Sequence, residues 1–121
     1  MDSVRRCAEP YGFKDGGVEL MTGAEEGENE WLTINFLYSA FRPGVQAVRD
    51  PVAVVDLRSI SLQMAYWMHD PDAQKALRLG YQQYVNRLAL PFGSGFAHIY
   101  RHSYRGYGLM AARAKSLDES A

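Results

Sequence analysis

The chain has 121 residues, 47% of them hydrophobic and 22% charged, which is enough apolar material for one domain with a core and excludes a disordered chain. Lysine and arginine number 13 against 14 aspartates and glutamates, so the formal net charge is −1 and no basic excess calls for a nucleic-acid partner. A lone cysteine, Cys7, excludes an intrachain disulfide and argues against a cysteine-based zinc site, and no apolar run approaches the roughly 20 residues that cross a bilayer.

Residues 1–16 are polar and rich in glycine and charge, and they read as a loose N-terminal segment. Arg5 and Arg6 have no apolar segment behind them, so this is not the pattern of a signal peptide. Gly12, Asp15, Gly16 and Gly17 mark a turn. A short apolar run at 18–21 predicts a strand, and an acidic loop follows at 22–30.

The pattern turns helical over 28–41. Trp31, Ile34 and Tyr38 recur at i, i+3 and i+7, with Leu32, Phe36 and Ser39 beside them. Glu25, Glu26, Glu28 and Glu30 crowd the front of this helix, where the helix dipole favours negative charge. Arg42-Pro43-Gly44 predicts its end, and 44–51 reads as a connector.

The continuous apolar run at 52–55 predicts a strand buried on both faces, as in the interior of an α/β sheet. A turn at 57–60 and a second strand at 61–67 complete a hairpin. Asp70-Pro71 predicts the start of a helix over 69–79. Strands at 84–90 and 96–104 flank the turn residues Pro91, Gly93, Ser94 and Gly95, and the alanine-rich stretch 109–117 predicts a last helix. The order predicts an α/β or α+β unit over 17–121.

Few of these residues carry chemistry on pattern alone. Glu25 and Glu26 suit a helix N-terminus as well as general-base work. Asp56 ends an apolar strand, which is where turns and catalytic carboxylates both occur. Ser61 and Gln63 share one face of their strand, either a solvent-facing polar edge or a pair that positions a water beside Asp56. His102 and Ser103 are sequence neighbours on a strand, so they point to opposite faces and make no nucleophile pair. His69 and His98 show no metal-ligand spacing with His102, and Trp31 reads as core.

Three stretches, in this order, resemble the apyrases, the ecto-nucleoside triphosphate diphosphohydrolases. They are Thr22-Gly23-Ala24-Glu25-Glu26-Gly27 with Trp31 and Thr33-Ile34-Asn35; Val54-Val55-Asp56-Leu57 with Ser61, Gln63, Met64, Ala65 and Tyr66; and Tyr100 and His102-Ser103-Tyr104 with Gly106-Tyr107-Gly108 and Ala111-Ala112-Arg113-Ala114. The likeness covers about residues 17–115. It implies part of an actin-like, ribonuclease-H-like lobe, a mixed sheet with flanking helices, whose partner lobe closes an active-site cleft. It implies hydrolysis of nucleoside di- and triphosphates by a water, with calcium or magnesium as cofactor. Carried over by position, Glu26 is the general base, Ser61 and Gln63 hold the water, and Asp56 binds the cation through water. Residues 58–61 correspond to a phosphate-binding turn.

At 58 and 59 the family has adjacent glycines, followed by a small residue. Here stand Arg58, Ser59 and Ile60, with an expected cost of about 1–2 kcal/mol for each side chain forced into a left-handed conformation. Arg58 offers a compensating charge to phosphate. The resemblance also implies a secreted, plasma-membrane or endomembrane (Golgi or endoplasmic reticulum) setting. Two other readings stay open: a catalytically inactive relic or binding module of the same fold, and an unrelated small interaction domain.

Overall fold

The computed structural model describes residues 2–12, 17–43 and 50–120. Four helices, Asp2–Ala8 (α1), Gly23–Leu37 (α2), Asp70–Arg78 (α3) and Leu109–Glu119 (α4), accompany four strands: Val54–Leu57 (β1), Ser61–Met68 (β2), Val85–Ala89 (β3) and Phe96–Arg105 (β4). The strands form one sheet in the order β1-β2-β4-β3, with all three pairings antiparallel. The expected α/β arrangement of a sheet with flanking helices is the one observed.

Helix α2 covers one face of the sheet through a narrow seam. Its buried residues are Gly27, Trp31 and Asn35, spaced i, i+4 and i+8. Gly27 faces β2, and a Cβ there would lie 3.4 Å from the Gln63 Cβ, an ordinary van der Waals contact. Trp31 is fully buried against Ala65, Ala97 and Ile99 of β2 and β4, as the reading of it as core requires. Asn35 is equally buried. Its amide donates to the carbonyls of Trp31 (2.9 Å) and Val52 (3.1 Å), and its oxygen accepts from Val52 N–H (2.8 Å). Those bonds fix the chain where it enters β1.

The helix stops at Leu37, four residues before the expected end at Phe41. Ser39 adopts a left-handed φ of 58°, and Ala40 N–H and Ser39 N–H return to the carbonyls of Asn35 and Phe36. This paired closure is the Schellman motif, here with serine in glycine's usual place. The chain then folds back, so that Ala40 and Phe41 are buried, Phe41 edge-on to Trp31 with ring centroids 5.8 Å apart. Phe36 and Tyr38, expected on the apolar stripe, are exposed.

Two further expectations differ from the structure. Residues 18–21 form no strand, and Leu20 is 85% exposed. Strand β1 lies at the sheet edge and is covered on one face only: Val54 is buried and Val55 is 58% exposed. The pairing of β1 with β2, helix α3, the strands β3 and β4 and the closing helix α4 match expectation, but β1 runs over Val54–Leu57 and not 52–55, so Asp56 lies within the strand and not beyond its end. Residues 2–8, read as loose, form α1, a helix with no buried residue. The boundary expected at residue 16, the turn residues Asp15 and Gly16, and most of the connector at 44–51 lie outside the described residues.

Candidate active site

The start of α2 separates the two acidic neighbours. Thr22 is its N-cap, and a reciprocal capping box forms: Glu25 N–H donates to Thr22 Oγ1 (3.3 Å), and Thr22 N–H donates to Glu25 Oε2 (2.7 Å). The Thr22 backbone bond, then its hydroxyl, holds the Glu25 carboxyl below its ordinary range. Glu25 is therefore the capping acid. Glu26, one position on, turns towards the sheet.

There it meets Gln63. Strand alternation puts Ser61 (8% exposed) and Gln63 (2% exposed) beneath α2. Gln63 Nε2 donates to Ser61 Oγ at 3.0 Å and reaches Glu26 Oε2 at 3.4 Å and Ser103 Oγ at 3.5 Å. Gln63 Oε1 is buried without a protein partner. Asp56 lies directly across the β1–β2 ladder from Gln63, and Ser103 lies across the β2–β4 ladder. Glu26, Asp56, Ser61 and Gln63, spread over 38 positions of sequence, thus line one crevice at the joint of α2 with the β1–β2 hairpin.

Arg58 occupies the mouth of that crevice. Its guanidinium contacts Asp56 Oδ2 and Glu30 Oε1 closely, and Glu26 Oε2 at 3.2 Å. These bonds, those of Asp56 and Glu30 foremost, drive the guanidinium's proton affinity above its ordinary level. Burial raises the Glu30 carboxyl above its usual value, and the Arg58 hydrogen bond opposes that rise without cancelling it. The neighbouring Asp56 carboxylate pushes Glu30 in the same direction as burial, and Glu30 Oε2 is buried without a protein partner. Sequence reasoning placed Arg58 with phosphate and did not foresee a contact with three carboxylates. No local signal announces Glu30, which lies 28 positions away.

The turn itself differs from the strained loop expected. The non-glycine residues with positive φ among the described residues are Ser39, Asp50 and Phe92, so Arg58, Ser59 and Ile60 incur no left-handed cost. Arg58 N–H bonds the Ser61 carbonyl (2.9 Å) across the turn. The carbonyls of Arg58, Ser59 and Ile60 each accept a bond of 2.8 Å, from the N–H groups of Leu109, Met110 and Gly106 respectively. The first turn of α4 thus clamps the hairpin tip from behind. Gly108 makes this possible, because a Cβ there would fall 2.4 Å from Ser61 N and 2.6 Å from the Arg58 carbonyl oxygen. The sequence marked Gly106-Tyr107-Gly108 only through the family likeness and 109–117 only as a helix.

The opposite face of the sheet carries the aromatic residues. Tyr66, Tyr84, Tyr100, His102 and Tyr104 border an open cavity of about 400 Å³. His102 packs edge-on to Tyr84 and Tyr104, while Ser103 faces α2, so the two are divided by the sheet as expected. Burial and the 2.8 Å bond to Tyr104 raise the Tyr100 hydroxyl above its ordinary range. His98 pairs with Asp70 at 3.0 Å, and His69 lies against Trp67, away from the crevice.

The donor set does not fit a divalent cation as it stands. Hard cations take several carboxylate, carbonyl or water oxygens. The converging oxygens of Glu26, Glu30 and Asp56 are taken by a guanidinium, and no group of three or more His, Cys, Asp or Glu side chains among the described residues is arranged to hold a metal.

Helix α2, with its paired-acid start, thus lies over the antiparallel β1–β2 hairpin with the polar residues Ser61 and Gln63 beneath it. The model of the GDA1/CD39 (nucleoside phosphatase) family matches residues 1–120, and the chain belongs to that family. It is 42% identical over 102 residues to Probable apyrase 2 of Oryza sativa subsp. japonica, covering 83% of this chain and 21% of that protein. Apyrase 1 of Arabidopsis thaliana is 40% identical over 105 residues, 85% of this chain and 21% of the relative. Guanosine-diphosphatase of Schizosaccharomyces pombe is 33% identical over 116 residues, 93% and 20% respectively. The chain therefore spans about a fifth of the length of these curated relatives. No described helix is long and apolar enough to cross a membrane.

Proposed function

We propose that this chain supplies one wall of the active site of a nucleoside di- or triphosphate phosphohydrolase, as part of an actin-like lobe. Glu26 takes the proton of the attacking water. Gln63 and Ser61 orient that water, with Gln63 fixed by its bonds to Ser61 and Glu26. The turn at 58–61 faces the terminal phosphate. The single observation that supports this most is the convergence of Glu26 on buried Gln63 at 3.4 Å, across 37 positions of sequence. Without a built network a glutamine 2% exposed has no reason to lie under an acidic helix start.

Phosphoryl transfer depends on positioning and charge from both sides of the cleft. The 121 residues alone are therefore expected to release no phosphate from nucleotides, their partner being the lobe supplied by the rest of a family-length protein. The compartment implied by the resemblance, endomembrane, plasma membrane or secreted, belongs to this proposal. The test is a graft. Residues 17–115 replace the matching segment of the Arabidopsis relative, with Glu26 or with Glu26→Gln, and phosphate release from nucleoside di- and triphosphates is followed. A loss of about 10²–10⁴-fold on removing the base is expected. Equal rates in the two grafts would sink the assignment.

A second reading, an inactive binding module of the same fold, is favoured by one observation, the guanidinium of Arg58 among the carboxylates of the crevice. The graft bears on that as well, because a module without chemistry shows no dependence on Glu26.

A further inference from the structure

We propose that Arg58 is a built-in cation, which takes the carboxylate oxygens that a divalent ion would otherwise use and leaves this crevice without a calcium or magnesium site. The inference rests on the phosphohydrolase reading of the crevice and concerns how its charge is balanced.

Three features carry it. First, the contacts are spread over the whole guanidinium: Nε meets Asp56, one terminal nitrogen meets Glu30, and the other meets Glu26. Such a planar fork matches carboxylates in fixed directions, unlike a flexible ammonium. Second, Arg58 is held at its backbone, N–H to Ser61 and carbonyl to Leu109, so the side chain starts from an anchored point. Third, the carboxylates come from separate elements, Glu26 and Glu30 from successive turns of α2 and Asp56 from β1. Arg58 thus cross-links helix and hairpin at this end of the molecule, beside the bond of Gln63 to Glu26. A cation at the same oxygens has to displace it.

The same geometry turns the guanidinium away from a phosphate-binding role, since its donors are already directed at carboxylates. Arg58 then sets the ion requirement of the site rather than contacting substrate.

The experiment uses the 121-residue chain and the variants Arg58→Gln and Arg58→Gly. Thermal unfolding is followed with and without millimolar calcium chloride or magnesium chloride. The wild-type midpoint is expected to stay unmoved by either ion. Arg58→Gln is expected to unfold at a lower temperature in chelator and to regain much of that loss with calcium, because ions that bind only the folded state raise its midpoint. Adding Asp56→Asn should cancel the calcium response. A wild-type midpoint that rises with calcium as far as that of Arg58→Gln overturns the proposal, and so does a variant that ignores calcium.

Should neither variant fold, manganese ions added to the wild type decide the matter. Selective paramagnetic broadening of the amide signals of Glu26, Asp56 and Gln63 overturns the inference, and unaltered signals support it. A titration with inorganic phosphate that moves the Arg58 side-chain signal also overturns it, by showing the guanidinium free to leave its carboxylates. These readouts report ion binding only. The graft reports hydrolysis, so either claim can fail while the other stands.

Discussion

Gly23 of α2 and Ser103 of β4 stand so close that a Cβ on the glycine would come within 2.4 Å of the serine oxygen and 2.7 Å of its Cβ. Space is the issue here, since Gly23 has no positive φ. The contact seats the helix start over the sheet and so sets the reach of Glu26 to Gln63. Gly23→Ala is expected to lose about 1–3 kcal/mol of stability by overpacking. Gly27→Ala, about one turn further along α2 and with ordinary clearance of 3.4 Å to Gln63, is expected to be neutral or to gain up to about 1 kcal/mol from helix propensity. Urea unfolding of both, together with Gly23→Ala/Ser103→Gly, checks the reasoning. The double variant should recover most of the loss, because the two side chains compete for one space. Equal costs at 23 and 27, or no recovery, would show that the seam is not limited at this point.

Gly106 and Gly108 are required for different reasons, and a pair of asparagine variants separates them. Gly106 has φ of 81° and nothing near its missing Cβ, so its demand is conformational. Gly108 is extended, with φ of −78° and ψ of 176°, a shape that any residue adopts. Its demand is steric, against the backbone of residues 58–61. Alanine at either position is expected to cost about 1–3 kcal/mol. Asparagine, which tolerates left-handed backbone, should recover part of that cost at 106 and none at 108. Chemical unfolding gives the energies, and the amide signals of Arg58 and Ser61 should move in Gly108→Ala alone. Recovery by asparagine at 108 would contradict the clamp.

How much of this was legible in the sequence depends on how far apart the partners lie. The β1–β2 hairpin could be read because its apolar runs, its turn and its alternation are all local, and Ser61 and Gln63 followed onto one face from period 2. The end of α2 was misplaced because Arg42-Pro43-Gly44 is a strong local stop, whereas the real stop is Ser39 in a left-handed conformation that serine seldom takes. The apolar run at 52–55 suggested burial on both faces, yet hydrophobicity does not say whether a strand is central or at an edge. Asn35 entered the sequence reading only as part of the Thr33-Ile34-Asn35 likeness. Its worth comes from Val52, 17 positions on, whose backbone it satisfies. Arg58 is the sharpest case. Its departure from the glycines of the family was visible at once, but the three carboxylates that receive it are a product of tertiary packing.

The split between Glu25 and Glu26 has a consequence in acid. The Glu25 carboxyl is held below its ordinary value of 4.5 by the Thr22 backbone and hydroxyl. A depressed carboxyl stabilises the fold above its unfolded value, and the contribution disappears as pH falls through the folded one. Glu25→Gln keeps a side-chain acceptor for Thr22 N–H and so isolates the charge. The wild type is therefore expected to be the more stable of the two at about pH 7, with the difference shrinking below about pH 4.5 and vanishing once the wild-type carboxylate is protonated. Salt should weaken the difference too, because Glu25 is exposed to solvent. Denaturant unfolding across this range measures it directly. A gap between the two proteins that stays constant with pH, or widens in acid, would mean that Glu25 does not cap α2 as a carboxylate, and the assignment of the inward-turning role to Glu26 would lose its structural ground.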